Sequence, residues 1–289
     1  MGSLALGAVV ISFAAVFVTT AGISADASAF YRMLFGGVTM VGLLAAKGRL
    51  GTLKTVLPAS LTAAFFLTGD FLCWHRAILA VGPGLATMLG NLQAVFIAVF
   101  SVIILGERPG IRFGGALILA LGGVYLTVGP QWDLGGEAFQ KGVLYGVATG
   151  LFYAAYILSL KRLVARTGDA LASVAAITLW TAAACGAANL IGGGSFALPD
   201  MAAWSSMLSL GILCQCGGWL LISRGLDSVR ASLAGLVLLL QPVLSFLWDI
   251  LFFGKPVNPV ELSGVALALC GIYLGSLQRQ PKARDLPGA

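Results

Sequence analysis

The sequence predicts an all-α membrane protein: ten transmembrane helices, arranged as a 5+5 inverted-topology repeat around a central cavity. Three observations carry that prediction. Only 10% of the 289 residues are charged, 59% are hydrophobic, and mean hydropathy is +0.98. Ten stretches are long and apolar enough to cross a bilayer, at about 20 residues each. Matching residues recur at one fixed offset along the two halves of the chain.

The composition excludes several classes. A soluble domain is about 25% charged, so this chain cannot coat a compact globule facing water. A disordered chain and a disulfide-stapled secreted module fall with it. Lys and Arg number 17 against 11 Asp and Glu, a net charge of +6. The basic residues lie in short clusters between apolar stretches. There they set membrane orientation rather than bind nucleic acid. The five cysteines, Cys73, Cys185, Cys214, Cys216 and Cys270, all fall in apolar stretches and read as packing residues. Cys214 and Cys216 point about 200° apart on a helix, which defeats chelation of one metal. No metal or cofactor is implied.

The spans read in order as residues 4–24, 28–46, 57–80, 84–105, 111–128, 141–160, 170–191, 201–223, 230–253 and 259–277. Connections are short and carry Gly, Pro or charge, as in Lys47-Gly48-Arg49 and Gly106-Glu107-Arg108-Pro109. The first span lacks a basic n-region, and its apolar run exceeds that of a signal peptide, so it reads as a mature helix. This divides the chain into a first half at 1–128, an external linker at 129–140, a second half at 141–277 and a cytoplasmic tail at 278–289.

Ten spans place both termini on one side. Loops on that side hold Lys47, Arg49, Lys54, Arg108, Arg112, Lys161, Arg162, Arg166, Arg224 and Arg230, and the tail adds Arg279, Lys282 and Arg284. The opposite loops hold Arg76, Lys141 and Lys255. The positive-inside rule puts the termini in the cytoplasm, in a bacterial-type inner membrane.

The internal match has an offset of 148, as 224 − 76 shows for Arg76 and Arg224. At the same offset Leu85-Ala86 overlays Leu233-Ala234, Gln93 overlays Gln241, Gly106 overlays Gly254, and Gly123 and Tyr125 overlay Gly271 and Tyr273. Five helices per half is odd, so the second half enters the membrane from the other side. Two such halves can open a central cavity to either face in turn, with substrate held between them near the midplane.

At these residues the chain resembles a family. The 5+5 layout, the run Asn91-Leu92-Gln93-Ala94-Val95-Phe96 leading to Gly106-Glu107-Arg108, and its echo Gln241-Pro242-Val243 leading to Gly254-Lys255-Pro256 look like the EamA-type branch of the drug/metabolite transporter superfamily. Tyr31-Arg32 and Leu160-Lys161-Arg162 match the family's habits as well. Ala94 stands where the family often has Pro. The resemblance implies a secondary carrier, usually an exporter of amino acids, related metabolites or drugs.

Polar residues inside spans are the site candidates, because each is costly in lipid. Asp70 lies about 15 Å from the outer end of the third span. It reads as a proton- or substrate-binding carboxylate, or as a structural acid. His75, the single histidine, reads as a proton relay or an interfacial hydrogen-bonding group. Trp74 shares the Asp70 face. It reads as a stacking surface for substrate or as part of the outer aromatic belt. Gln93 and Gln241 recur at mid-helix, and Pro242 frees the Leu238 carbonyl beside Gln241. Asn91, in the family motif, joins the substrate-binding set. Trp248 continues the Gln241 face. Arg32 and Asp249 share a depth near the outer side, which allows a salt bridge between them or a charged vestibule that admits zwitterions. Tyr145, Thr149, Phe152, Tyr156 and Ser159 make one stripe along the sixth span, with Tyr153 beside it; it reads as a cavity wall or as a helix-packing face. The coupling or gating set is Asp70, His75, Arg32, Asp249 and Pro242.

No P-loop motif is present, so a substrate or ion gradient is the expected energy source, with proton coupling through Asp70 or His75. The expected partners are a small-molecule substrate and the lipid bilayer, and the expected assembly is a monomer or homodimer. The leading reading is export of amino acids or related amphipathic metabolites. A multidrug or cationic-compound exporter, a nucleotide-sugar or phosphate-ester exchanger, and an intramembrane enzyme are the rivals. The last lacks a nucleophile with a nearby base, so no enzyme is expected.

Overall fold

A computed structural model describes residues 2–105, 111–226, 237–238 and 240–276. Those residues are helical throughout apart from short turns. The chain begins with α1 (Gly2–Ser12) and α2 (Ala14–Thr20), nearly continuous through Phe13. Then come α3 (Ala25–Ala46), the short α4 (Leu50–Val56) and α5 (Leu61–Val81). Next are α6 (Pro83–Gly90), α7 (Gln93–Leu105), α8 (Ile111–Val128) and the long α9 (Gly136–Thr167). The remainder is α10 (Ala170–Ile191), α11 (Met201–Ser209), a π-helical segment (Leu210–Gly218), α12 (Trp219–Leu226), α13 (Leu240–Phe253) and α14 (Pro259–Ser276).

Among the described residues, seven stretches are long and apolar enough to cross a membrane: Gly2–Thr20, Ala25–Ala46, Pro58–Val81, Gly114–Gln131, Gly136–Thr167, Ala170–Ile191 and Met201–Ile222. Shorter apolar helices cover Pro83–Ile97, Leu240–Phe253 and Pro259–Leu274, at the places of the fourth, ninth and tenth predicted spans. The expected Gly106-Glu107-Arg108 turn, the Leu233-Ala234 match and the tail with Arg279, Lys282 and Arg284 lie outside the described residues.

Local chemistry sets the helix ends. Ser24, Asp169 and Asp200 cap α3, α10 and α11 by accepting from the backbone N–H three residues on. The turn from α5 to α6 is one residue, Gly82, at φ +84°, followed by Pro83 in the first helical turn. The sixth predicted span is longer than expected. α9 starts at Gly136 and runs to Thr167, where Gly168 ends it in a left-handed conformation. Lys161, Arg162 and Arg166 therefore sit on the helix rather than in a loop. A charged end lengthens the helix without lengthening its apolar run.

The packing pairs distant parts of the chain. α8 lies along α14, α5 along α9, α3 along α10, α1 along α12, and α6 along α13. Small residues permit the closest approach. A Cβ at Gly271 would come within 2.7 Å of the Ala116 carbonyl, and one at Gly264 within 2.8 Å of the Gly123 carbonyl. Lipid gives helices no hydrophobic reason to associate, so close backbone packing has to supply the attraction.

Candidate functional site

A cavity of about 360 Å³ lies among these helices. Its wall takes residues from the α1–α2 span, α3, α5, the α6–α7 break, α9, the π segment and α12, with Leu238 and Gln241 completing it. Two charged side chains face it. Arg32 of α3 is 5% exposed and Asp70 of α5 is 6% exposed.

Arg32 is held by its surroundings. Its Nε donates to Gln215 Oε1 at 3.2 Å. The guanidinium carbon stands 4.5 Å from the Phe71 ring centre and 5.2 Å from that of Trp74. Aromatic faces attract a guanidinium without satisfying its N–H groups. The ion pairs among the described residues are Arg49–Asp169, Arg76–Asp26, Lys141–Glu137, Lys255–Asp249 and Lys255–Glu261. Neither Arg32 nor Asp70 is in one of them. The terminal guanidinium nitrogens of Arg32 and the carboxylate of Asp70 make no hydrogen bond to the described residues, so both remain available to a third party. Charges left open in a membrane interior are expensive, so they mark a water-filled or ligand-filled space.

Neutral polar and aromatic groups complete the wall. The helix breaks at Asn91-Leu92 between α6 and α7, and Asn91 Nδ2 donates to the Thr87 carbonyl at 2.8 Å. Gln93 follows directly as the first residue of α7 and faces the cavity. Gln241 lies on the wall from α13. Thr149, Tyr153 and Tyr156 come from α9, the two tyrosine rings stacked at 5.8 Å. Ile97, Ile157, Ile222 and Leu238 add apolar surface to the wall.

Of the residues singled out from sequence, Asp70, Trp74, Asn91, Gln93, Tyr156, Gln241 and Arg32 share this cavity. The others lie elsewhere. His75 is 0% exposed and does not line the wall. Its Nδ1 is 2.5 Å from Ser28 Oγ, and its Nε2 has no hydrogen-bond partner among the described residues. It sits five residues past Asp70, on a face of α5 turned to α3. Asp249 does not meet Arg32. It accepts from the Gly84 backbone N–H at 3.2 Å, with Lys255 Nζ 3.9 Å from the same oxygen. Arg32 turns to the cavity, whereas Asp249 turns to the start of α6. Trp248 stacks on Phe13 with ring centres 4.6 Å apart, and donates from Nε1 to Ser12 Oγ at 2.9 Å. It stands behind the wall, since Ser12 is a wall residue. Pro242 is buried off the wall.

The α9 stripe divides. Thr149 and Tyr156 face the cavity, but Tyr145 is 37% exposed and lies 5.9 Å below the Arg76 guanidinium. Phe152 covers Gly69, where a Cβ would come within 2.7 Å of its ring. Tyr153, beside the stripe, takes the wall position instead. Gln215, Phe71 and Trp219 are wall residues that the sequence reading missed. Gln215 was legible only as one more polar group in an apolar run, and the π segment hides which way it faces.

The family model of the EamA-like transporter family matches residues 1–129 and 140–277. An uncharacterized transporter of Archaeoglobus fulgidus is 26% identical over 279 residues, 94% of each chain. The uncharacterized inner membrane transporter YhbE of Escherichia coli (strain K12) is 26% identical over 86% of this chain and 81% of its own. A solved crystal structure superposes with a TM-score of 0.67 over 94% of this chain and 95% of its own, at 20% identity, which shows a shared fold.

Proposed function

The chain belongs to the EamA-like transporter family and is a multi-pass membrane protein, and from that premise we propose that it is a secondary, alternating-access exporter of zwitterionic amino acids or closely related metabolites. The observation that carries this reading is Arg32 and Asp70 facing one cavity with neither in an ion pair among the described residues. A guanidinium receives a carboxylate, and a carboxylate receives an ammonium. One of each on the same cavity wall matches the two ends of an amino acid. The apolar lining from Ile97, Ile157, Ile222 and Leu238 suits an uncharged side chain.

Ten spans in a 5+5 inverted repeat frame this mechanism. The packing pairs support that arrangement, because they survive exchanging the halves. The span of α1 packs on that of α12 as α9 packs on α5, and α3–α10, α6–α13 and α8–α14 map onto themselves. With the termini in the cytoplasm, the wall runs inward from mid-span to Ile97, Ile157, Ile222 and Leu238. On the other side, Trp248 on Phe13 and the bond between Thr87 Oγ1 and Ser245 Oγ at 3.1 Å cover it. We read this as the inward-facing state. Asp70 is the one carboxylate on the wall among the described residues, which makes it the group proposed to carry a coupled proton.

The rivals fit this wall less well. A cationic drug would use Asp70 and the tyrosines but would meet Arg32. A phosphate ester would call for several cationic side chains, and Arg32 is the one on the wall among the described residues. Counterflow of a labelled amino-acid panel by the purified protein in liposomes tests the reading, with Asp70→Asn and Gln241→Ala beside the wild type. Saturable exchange weakened in both variants is the expected result. Exchange of organic cations and no amino acid would replace it. Transport indifferent to an imposed pH gradient would remove proton coupling alone.

A further inference from the structure

An arginine side chain has many rotamers, and a binding site needs one of them held in place. Arg32 is fixed from two directions. Phe71 and Trp74 bound the guanidinium at 4.5 and 5.2 Å. From the other direction Gln215 Oε1 takes the Nε proton at 3.2 Å. That is the one N–H on the stem side of the guanidinium. The terminal nitrogens, which form the fork that matches a carboxylate, make no hydrogen bond to the described residues.

Gln215 owes its place to an unusual backbone. Leu210–Gly218 is nine residues of π-helix between α11 and α12. Its i→i+5 bonds widen each turn and shift every later side chain around the axis relative to an α-helix. Two glycines bring this segment against α3. A Cβ at Gly211 would fall 2.9 Å from the Gly36 nitrogen and 3.2 Å from the Arg32 carbonyl. A Cβ at Gly36, one turn beyond Arg32, would fall 2.6 Å from Gln215 Cγ. The absence of a side chain at Gly36 therefore makes room for the Gln215 stem, which is itself 3% exposed.

We propose that Gln215 is a positioning residue for substrate recognition: carried on its π-helical turn, it holds Arg32 by Nε so that the terminal guanidinium nitrogens face the cavity and receive a substrate carboxylate. This rests on the amino-acid site proposed above. It adds that the selectivity for a carboxylate is set by a residue on the π segment that need not touch the substrate.

The test is binding to the purified full-length protein in detergent with two matched probe pairs. L-leucine is compared with isoamylamine, and L-threonine with 1-amino-2-propanol; each amine is its amino acid without the carboxylate. Gln215→Met keeps the volume and removes the acceptor. Gly36→Ala leaves Gln215 in place and displaces its stem. Both variants are expected to weaken the amino acids about tenfold while the amines change less than twofold. Thermal unfolding of each variant checks that it is folded. Equal weakening of amino acids and amines would show a merely structural role and overturn the proposal, as would no change in either. If the wild type binds neither amino acid, the zwitterion reading falls and the role of Gln215 with it. If the wild type binds and the variants keep its ratio of amino acid to amine, Gln215 alone is discarded.

Discussion

Asp249 on α13 accepts a hydrogen bond from the Gly84 backbone N–H at 3.2 Å, in the first turn of α6. The contact works because Gly82 has no side chain; a Cβ there would lie 2.8 Å from Asp249 Oδ2. Lys255 stands 3.9 Å from the same oxygen and also pairs with Glu261 at 2.7 Å. Asp249→Ala is expected to cost about 1–3 kcal/mol, the penalty for stranding a buried donor. Gly82→Ala is expected to lower stability as well, through both the clash and its φ of +84°. Thermal unfolding in detergent measures the loss. Substrate affinity should hold, since Asp249 is off the cavity wall; a large affinity change would put Asp249 in the site after all.

Arg32→Lys keeps the charge but loses the planar fork and the stacking on Phe71 and Trp74. The expected outcome is at least a tenfold rise in KM for amino-acid counterflow, with the protein still folded. A lysine variant with wild-type KM would mean that Arg32 acts only as a diffuse charge.

Asp70→Asn removes the one carboxylate on the wall among the described residues. Amino acids and their matching amines should both weaken by tenfold or more, because both carry the ammonium. Transport driven by an imposed pH gradient should also stop. Binding measured with the amines separates this from an effect on Arg32, which the amines do not use.

His75 contacts Ser28 Oγ and the rings of Phe71 and Trp74, behind the cavity wall rather than on it. His75→Ala is therefore expected to lower thermal stability by the packing and hydrogen bond it removes, about 2–4 kcal/mol. The pH profile of transport should keep its shape. A shifted profile would restore His75 as a proton carrier.

Gly123 on α8 faces Gly264 and Ala268 on α14 so closely that a Cβ would collide with their backbones, whereas one on Gly122 would meet only the Leu267 side chain, at 3.8 Å. Gly123→Val should separate α8 from α14 and cost about 1–3 kcal/mol. Gly122→Ala should be neutral or slightly stabilising, as helix propensity favours Ala. Equal melting temperatures for the two variants would contradict this packing.

Much was legible from the order of residues. The membrane class followed from few charges and long apolar runs, because lipid penalises each charge at its own position and needs no knowledge of neighbours. Asp70, Gln93 and Gln241 could be found as polar groups well inside spans and Tyr156 as part of a stripe on the sixth, and all four face the cavity. Asp70 and Trp74 sit four apart on a regular α-helix, so a 3.6-residue period placed them on one face correctly.

Azimuth and partnership were decided elsewhere. Depth along the chain put Arg32 and Asp249 together, yet Arg32 turned to Asp70's cavity and Asp249 to the α6 N-terminus. The five-residue stripe on α9 assumed one wide cavity face, but Phe152 was drawn onto Gly69 and Tyr145 toward Arg76. Gln215 was beyond reach because a π segment breaks the period on which helical facing is read. The sequence by itself determined a helical membrane protein with mid-depth polar groups, since burial in lipid acts on each residue separately. Only the tertiary structure decided that Arg32 and Asp70 share one cavity, neither in an ion pair among the described residues. That pairing depends on how helices far apart in the chain rotate against each other, and close packing across the bundle sets the rotation.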